Sequence, residues 1–240
     1  MRHRAGSFCL TLLLLLPASA SYAETYFEAA QRLLANGQET EARRALNREI
    51  TIRPRNLEAR YNLAVLLERI GHNEQAAELY HDNIHRGRHL PSVVNLAAYL
   101  RKQKKTGQAI ALLMQATKKI RGEAVPWYLL ADIAAQQKKP AQAEKYYKKA
   151  LKADRKNGFA HLRYAKFLAA NGNIKQAVRH TSKALNLLPQ CAPCQHIGGD
   201  IFTQAGKHKQ ALKAWQRSMA LAPDAALRKK IMPALESQMP

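Results

Sequence analysis

"WYLLADIAAQQKKPAQAEKYYKKALKADRKN", residues 127–157, decides the fold. Trp127, Leu130, Ala131 and Ala134 recur at i, i+3, i+4 and i+7, the spacing of one helix face. "KKP" at 138–140 interrupts the pattern, which resumes in Ala143, Tyr147, Ala150 and Leu151. The stretch therefore predicts two amphipathic helices joined by a tight turn. Ala131 and Ala143 are small because two helices that cross closely have no room for a larger side chain between them.

The same unit recurs on both sides. Ala42, Ala76, Ala109, Ala143, Ala177 and Ala211 lie 34, 33, 34, 34 and 34 residues apart. Twelve residues before each stands another small residue: Ala30, Ala64, Ala97, Ala131, Ala165 and Gly199. Five residues before the second alanine, four units carry Gly37, Gly71, Gly172 and Gly206, and the other two carry Lys104 and Lys138. Pro54, Pro189 and Pro223 close three of the units. The spacing drops by one near "HRGRHLP", residues 85–91, where an irregular junction is expected. A fixed period of this length is the mark of a repeat array, in which each helix pair buries its apolar face on its neighbours.

The pattern resembles the tetratricopeptide repeat family over residues 23 to about 225. Six units start near 23, 57, 90, 124, 158 and 192. The resemblance implies an all-α, right-handed superhelical solenoid. Residues 226–237, "ALRKKIMPALES", are expected to form a terminal capping helix, with residues 226–240 as cap and tail. The resemblance also implies that first helices line a concave groove holding an extended segment or helix of another protein, and that second helices form the convex face.

Mapped onto this chain, the groove would present Tyr61, Asn62, Arg69, Asn95, Arg101, Lys102, Tyr128, Asp132, Arg163 and Lys166, with Val65, His196 and Asp200 beside them. Asn62 and Asn95 suit a peptide backbone, and Arg101, Lys102, Arg163 and Lys166 suit carboxylates. The bland alternative is a row of ordinary exposed polar side chains. Some relatives clamp a C-terminal carboxylate with Lys, Asn and Arg. Phe27, Glu28 and Gln31 of the first unit do not supply that set.

Composition bounds the partners. The formal charge is +22, from 39 Lys and Arg against 17 Asp and Glu. The bases cluster at Lys138, Lys139, Lys145, Lys148, Lys149, Lys152, Arg155 and Lys156, and again at Lys175, Arg179, Lys183, Lys207, Lys209, Lys213 and Arg217. Most fall on second helices or turns, hence on the outer face. A solvated face explains them. The rival reading is a belt that holds an acidic glycan, lipopolysaccharide or a membrane surface.

The first 23 residues read as a secretory signal peptide: Arg2 and Arg4, an apolar run from Phe8 to Leu16, Pro17, and Ser21-Tyr22-Ala23 as the expected cleavage site, with Ala18-Ser19-Ala20 as the other candidate. The apolar run is short for a membrane span. Cleavage would remove Cys9 and lower the charge to +20. An exported, periplasmic protein follows as the expectation, with an extracellular one as alternative, and export disfavours nucleic acid as a partner.

"CAPC" at 191–194 admits a redox centre, a metal site, a haem signal or a local disulfide. Gln195 separates the pair from His196, which spoils the haem signal, and no second ligand pair stands nearby for zinc. In an oxidising compartment two lone thiols pair, so a Cys191–Cys194 disulfide is expected. His81 and His85, at i and i+4, could share a metal, but a solvated helix end suits them equally. Neither a cofactor nor a metal is therefore expected. The chain shows no phosphate loop, nucleophile elbow or zinc-protease motif. The expectation is a non-enzymatic scaffold in the cell envelope, similar to exported repeat proteins that serve pilus assembly, secretion or exopolysaccharide export.

Overall fold

The computed structural model describes residues 24–228 and Ile231. The expected signal peptide, and most of the expected capping helix, lie outside the described residues. Twelve helices are complete within them. They are α1 (Tyr26–Ala35), α2 (Glu39–Ile52), α3 (Leu57–Arg69), α4 (Asn73–Arg86), α5 (Leu90–Lys102), α6 (Thr106–Lys119), α7 (Val125–Gln136), α8 (Pro140–Ala153), α9 (Gly158–Ala170), α10 (Ile174–Leu187), α11 (Ala192–Gln204) and α12 (His208–Leu221). No strand occurs among the described residues. The helices pair in sequence, and each pair packs on the next, which makes a solenoid.

The small residues sit where the spacing put them. All eleven alanines of the two repeating positions are at most 2% exposed. The twelfth small residue, Gly199, has no Cβ, and one built there would meet Trp215 Nε1 at 2.2 Å. Four residues beyond the second alanine stand Leu46, Tyr80, Leu113, Tyr147, Thr181 and Trp215 in turn. The last unit thus matches the largest side chain of that series with the smallest crossing residue.

Local chemistry starts and stops the helices. Five first helices open on a side-chain cap: Thr25, Asn56, His89, Asn157 and Cys191 each accept the backbone N–H three residues on. The Thr25, Asn56 and Asn157 caps each contribute about 1 kcal/mol. Inside four pairs the turn passes through Gly37, Gly71, Gly172 and Gly206 at φ of 73°, 89°, 78° and 66°. Lys104 and Lys138 adopt the same left-handed conformation at 58° and 56°, which costs a residue with a Cβ about 1–2 kcal/mol.

The irregular junction has its own fastening. Only residues 87–89 separate α4 from α5, against four residues between α2 and α3. Arg60 is 3% exposed and donates to the Pro54 carbonyl at 2.9 Å and to Asn83 Oδ1 at 3.4 Å. The Asn83 amide donates to the Leu57 carbonyl at 2.8 Å and to Ser92 Oγ at 3.2 Å. The Asn83–Ser92 bond ties the second pair to the third, and the others lock α3 to α4 and to the preceding loop, through groups that would be costly to bury unpaired.

At the far end, the buried Leu227 and Ile231 join Phe202, Leu212 and Trp215 in one apolar cluster. They cover the face that the last pair would otherwise leave open.

Candidate functional site

Successive first helices converge on one cleft. It has a volume of about 690 Å³ and is lined from α5, α7 and α9, with the α7–α8 turn and α8 closing one side. Arg101, Lys138, Arg163 and Lys166 point cations at it, and Asp132 is its single acid. Asp132 is already engaged. One of its oxygens takes the Tyr147 hydroxyl at 2.5 Å and the other pairs with Arg163. Burial, then the Asp132 charge, pushes the Tyr147 hydroxyl well above the usual phenol range, so it stays a donor. Arg163 also lies over the Tyr128 ring, 4.9 Å from its centroid.

Arg101 donates to Gln136 at 2.8 Å, a neutral partner. Arg101, Lys138 and Lys166 have no carboxylate within ion-pair distance among the described residues. The cleft therefore holds a net excess of positive charge in a concave wall, where it is felt more strongly than on open surface. Phe167 and Ala170 supply its apolar floor. Beyond Arg101 a second hollow of about 520 Å³ continues along α5 and α7, lined by Arg101, Lys102, Gln136 and Gln137 among others.

The other groove residues separate into two groups. Asn62 and Arg69 line a small hollow of about 160 Å³ with Leu34 and Val65, and Arg69 pairs with Glu39 at 3.0 Å. Tyr61 and Asn95 belong to an internal network. The Asn95 amide donates to the Tyr80 hydroxyl at 2.9 Å and reaches that of Tyr61 at 3.4 Å, while Tyr80 donates to Glu68 at 3.0 Å. Tyr128 is only 9% exposed and supports Arg163 from below. The structure thus brings Arg101, Asp132, Arg163 and Lys166 to one place and leaves Tyr61, Asn62, Arg69 and Asn95 elsewhere. Lys138, read from the sequence as part of the outward-facing basic belt, lines the cleft instead, because the α7–α8 turn closes one side of it.

Two family models, both described as tetratricopeptide repeat, match the sequence. One covers residues 27–82 and 94–158, and the other covers residues 134–197. The chain belongs to the tetratricopeptide repeat family. No curated protein matches it by sequence. Among solved structures it is similar to Pseudomonas aeruginosa PilF, with 21% identity, 87% of this chain and 96% of that one covered, and a TM-score of 0.63. It is also similar to PilW, described as a widely conserved type IV pilus biogenesis factor, with 16% identity, coverage of 86% and 96%, and a TM-score of 0.65. A tetratricopeptide repeat protein from Parabacteroides merdae shares 18% identity, with coverage of 89% and 88% and a TM-score of 0.60. At these identities the likeness concerns the fold.

Elsewhere on this tetratricopeptide repeat chain, Cys191 and Cys194 are joined in a disulfide at the start of α11. Cys191 is also the N-cap, its sulfur accepting from Cys194 N at 3.3 Å. The bridge fixes the turn between the fifth and sixth pairs. The outer helices α8, α10 and α12 carry an exposed basic belt that includes Lys145, Lys148, Lys152, Lys175, Lys183 and Lys213. Within it Lys148 pairs with Glu144 at 2.7 Å, and Lys149 lies 4.5 Å over the Trp127 ring. No helix among the described residues is long and apolar enough to cross a membrane.

One feature was missed in the sequence. His161 and His180, nineteen residues apart, meet between α9 and α10 with their Nδ1 atoms 2.8 Å apart. His161 Nε2 lies 3.1 Å from the Arg155 carbonyl, so it carries the proton and His180 Nδ1 must donate to His161 Nδ1. Burial lowers both, His180 to about 4. Numbering each unit from its second alanine would have placed the two on facing helices.

Proposed function

We propose that this chain is a non-enzymatic scaffold of the bacterial cell envelope that binds an acidic segment of another protein in the cleft of Arg101, Lys138, Arg163 and Lys166. The supporting observation is the uncompensated positive charge of that cleft, set on an apolar floor. Charge gives such a site its choice of partner and its speed of encounter. The floor and the Gln136 and Asn171 amides on the cleft wall offer an extended segment apolar contact and hydrogen-bonding groups. Proteins of this family are generally non-catalytic scaffolds.

The place of action is read from two further features. The sequence opens with a signal-like segment, and the fold is similar to that of PilW, a type IV pilus biogenesis factor. We assign the chain to the periplasm and to the assembly of a pilus, secretion or exopolysaccharide-export complex.

The test is affinity isolation from the cell's own envelope at low and moderate salt. It uses the protein, a cleft variant (Arg101→Ala, Arg163→Ala, Lys166→Ala) and an outer-face variant (Lys145→Ala, Lys148→Ala, Lys183→Ala). One protein that is lost with the cleft variant and kept with the outer-face variant is expected. Glycan or lipid lost with the outer-face variant, at modest salt, would move the function to the convex belt.

A further inference from the structure

Two exposed histidines on the second helix pair have a geometry that the cleft does not use. His81 and His85 lie four residues apart on α4, so they share one helix face. Their Nε2 atoms are 3.1 Å apart while their ring centroids are 4.3 Å apart. The rings therefore lean together at their Nε2 ends, and both of those nitrogens bound the same point in solvent.

That separation fits an ion. With metal–imidazole bonds of about 2.0–2.1 Å, an ion equidistant from both nitrogens would subtend an angle of about 100°. This lies between the square and tetrahedral values that late transition metals accept. Without metal, one Nε2–H donates to the other ring. With metal, the donating ring moves its proton to Nδ1, where the accepting ring already carries its own, and both Nε2 lone pairs become available to the ion; this costs no buried bond because both side chains are exposed.

The surroundings neither fill the site nor repel an ion strongly. Asp82 stands between the two histidines in sequence but turns to Arg86 at 3.4 Å and to Arg60 at 3.9 Å. Its carboxylate holds the nearby Arg86 guanidinium. No group of three or more metal-ligating side chains occurs among the described residues, so the remaining coordination positions would be taken by water or by an incoming donor. Three other histidines are differently committed. His89 is buried between Ser92 and Glu58, and His161 and His180 face each other.

We propose that His81 and His85 form an open two-ligand site for a divalent late transition-metal ion, Zn(II) in the first instance. The site is labile and holds its ion from the outer surface of α4. It is independent of the cationic cleft and of the partner-binding role.

The experiment is calorimetric titration of Zn(II) into the untagged protein near pH 7.5, where ordinary imidazoles are neutral. It is repeated with His81→Ala, His85→Ala and, as control, His72→Ala, an exposed histidine at the N-cap of the same helix. One saturable micromolar site is expected. Either ligand change should weaken it about tenfold or more, a scale that even outer-shell partners of a metal reach. His72→Ala should leave it intact. The proposal fails if no saturable site exists, if His81→Ala and His85→Ala bind as the parent does, or if His72→Ala weakens binding as much as they do. Unchanged circular dichroism in all three variants ensures that a loss is read as a lost ligand.

Discussion

Changing Lys138 to glycine should make the protein more stable and a poorer binder at once. Lys138 holds φ of 56° in a turn where four other units place glycine. The left-handed conformation costs a residue with a Cβ roughly 1–2 kcal/mol. Glycine also gains freedom in the unfolded chain, which takes back about 0.4–1 kcal/mol. A net gain of about 0.5–1 kcal/mol follows. The same change removes one of four cations from the cleft. A solvent-accessible charge of this kind contributes about 0.3–1 kcal/mol, so affinity for the acidic partner segment should fall about two- to fivefold. Lys104 supplies the control. It has the same strain, at φ of 58°, and does not line the cleft. Lys104→Gly should stabilise equally and leave binding alone. Urea unfolding followed by circular dichroism gives the first quantity, and titration with the isolated partner gives the second. A Lys138→Gly protein that is less stable, or that binds as tightly as the parent, would refute the reasoning. So would a Lys104→Gly protein with the same loss of affinity.

Three further changes probe other parts of the account. Gly199→Ala should destabilise by about 1 kcal/mol, because overpacking against the Trp215 ring, at about 1–3 kcal/mol, exceeds the helix-propensity gain of about 1 kcal/mol. In a Trp215→Phe background the sign should reverse, and stabilisation of the parent by Gly199→Ala would contradict the packing. Acidification should weaken the fold before carboxylates protonate. His180 is held down at about 4 against 6.5 when unfolded, mainly by burial, with His161, Arg179 and Lys183 adding to it. Its contribution is therefore complete above about pH 6.5 and lost as pH falls towards 4, up to about 3 kcal/mol. His180→Phe should flatten that slope in pH-dependent urea midpoints, and an unchanged slope would exclude the pair as its source. Reducing Cys191–Cys194, or changing both to Ser, should cost about 2 kcal/mol, the loop-closure value for so short a bridge. No shift in the urea midpoint would show that the turn holds without it.

The fold was legible because helix packing writes itself into size. Ala131 and Ala143 must be small wherever two helices cross, and twelve such positions at a fixed period left little room for another architecture. The disulfide was legible from its isolation in the chain. The cleft was legible only in part. Arg101, Arg163 and Lys166 could be placed on first helices, but the sequence could not say that they meet while Asn62 and Arg69 lie apart. That depends on the curvature of the array, a sum of small rotations between pairs. Asp132 and Asn95 looked like ligand contacts from their helix positions. Their hydrogen-bonding capacity is spent at least partly on the Tyr147 and Tyr80 hydroxyls and the Arg163 guanidinium, all from neighbouring helices. The His161–His180 contact joins two helices of one pair, so only numbering within the unit, not the repeat period, places the two on facing helices.

The central claim is that a partner segment lies in the cationic cleft, and site-specific photocrosslinking in living cells tests it most directly. A benzophenone side chain would replace Lys166 or Gln136 in the cleft, and Lys148 or Lys183 on the outer helices. The account predicts one protein adduct from Lys166 and Gln136, mapping to an acidic stretch of the partner, and none from the outer positions. Adducts from Lys148 and Lys183 alone would contradict it and place recognition on the convex face.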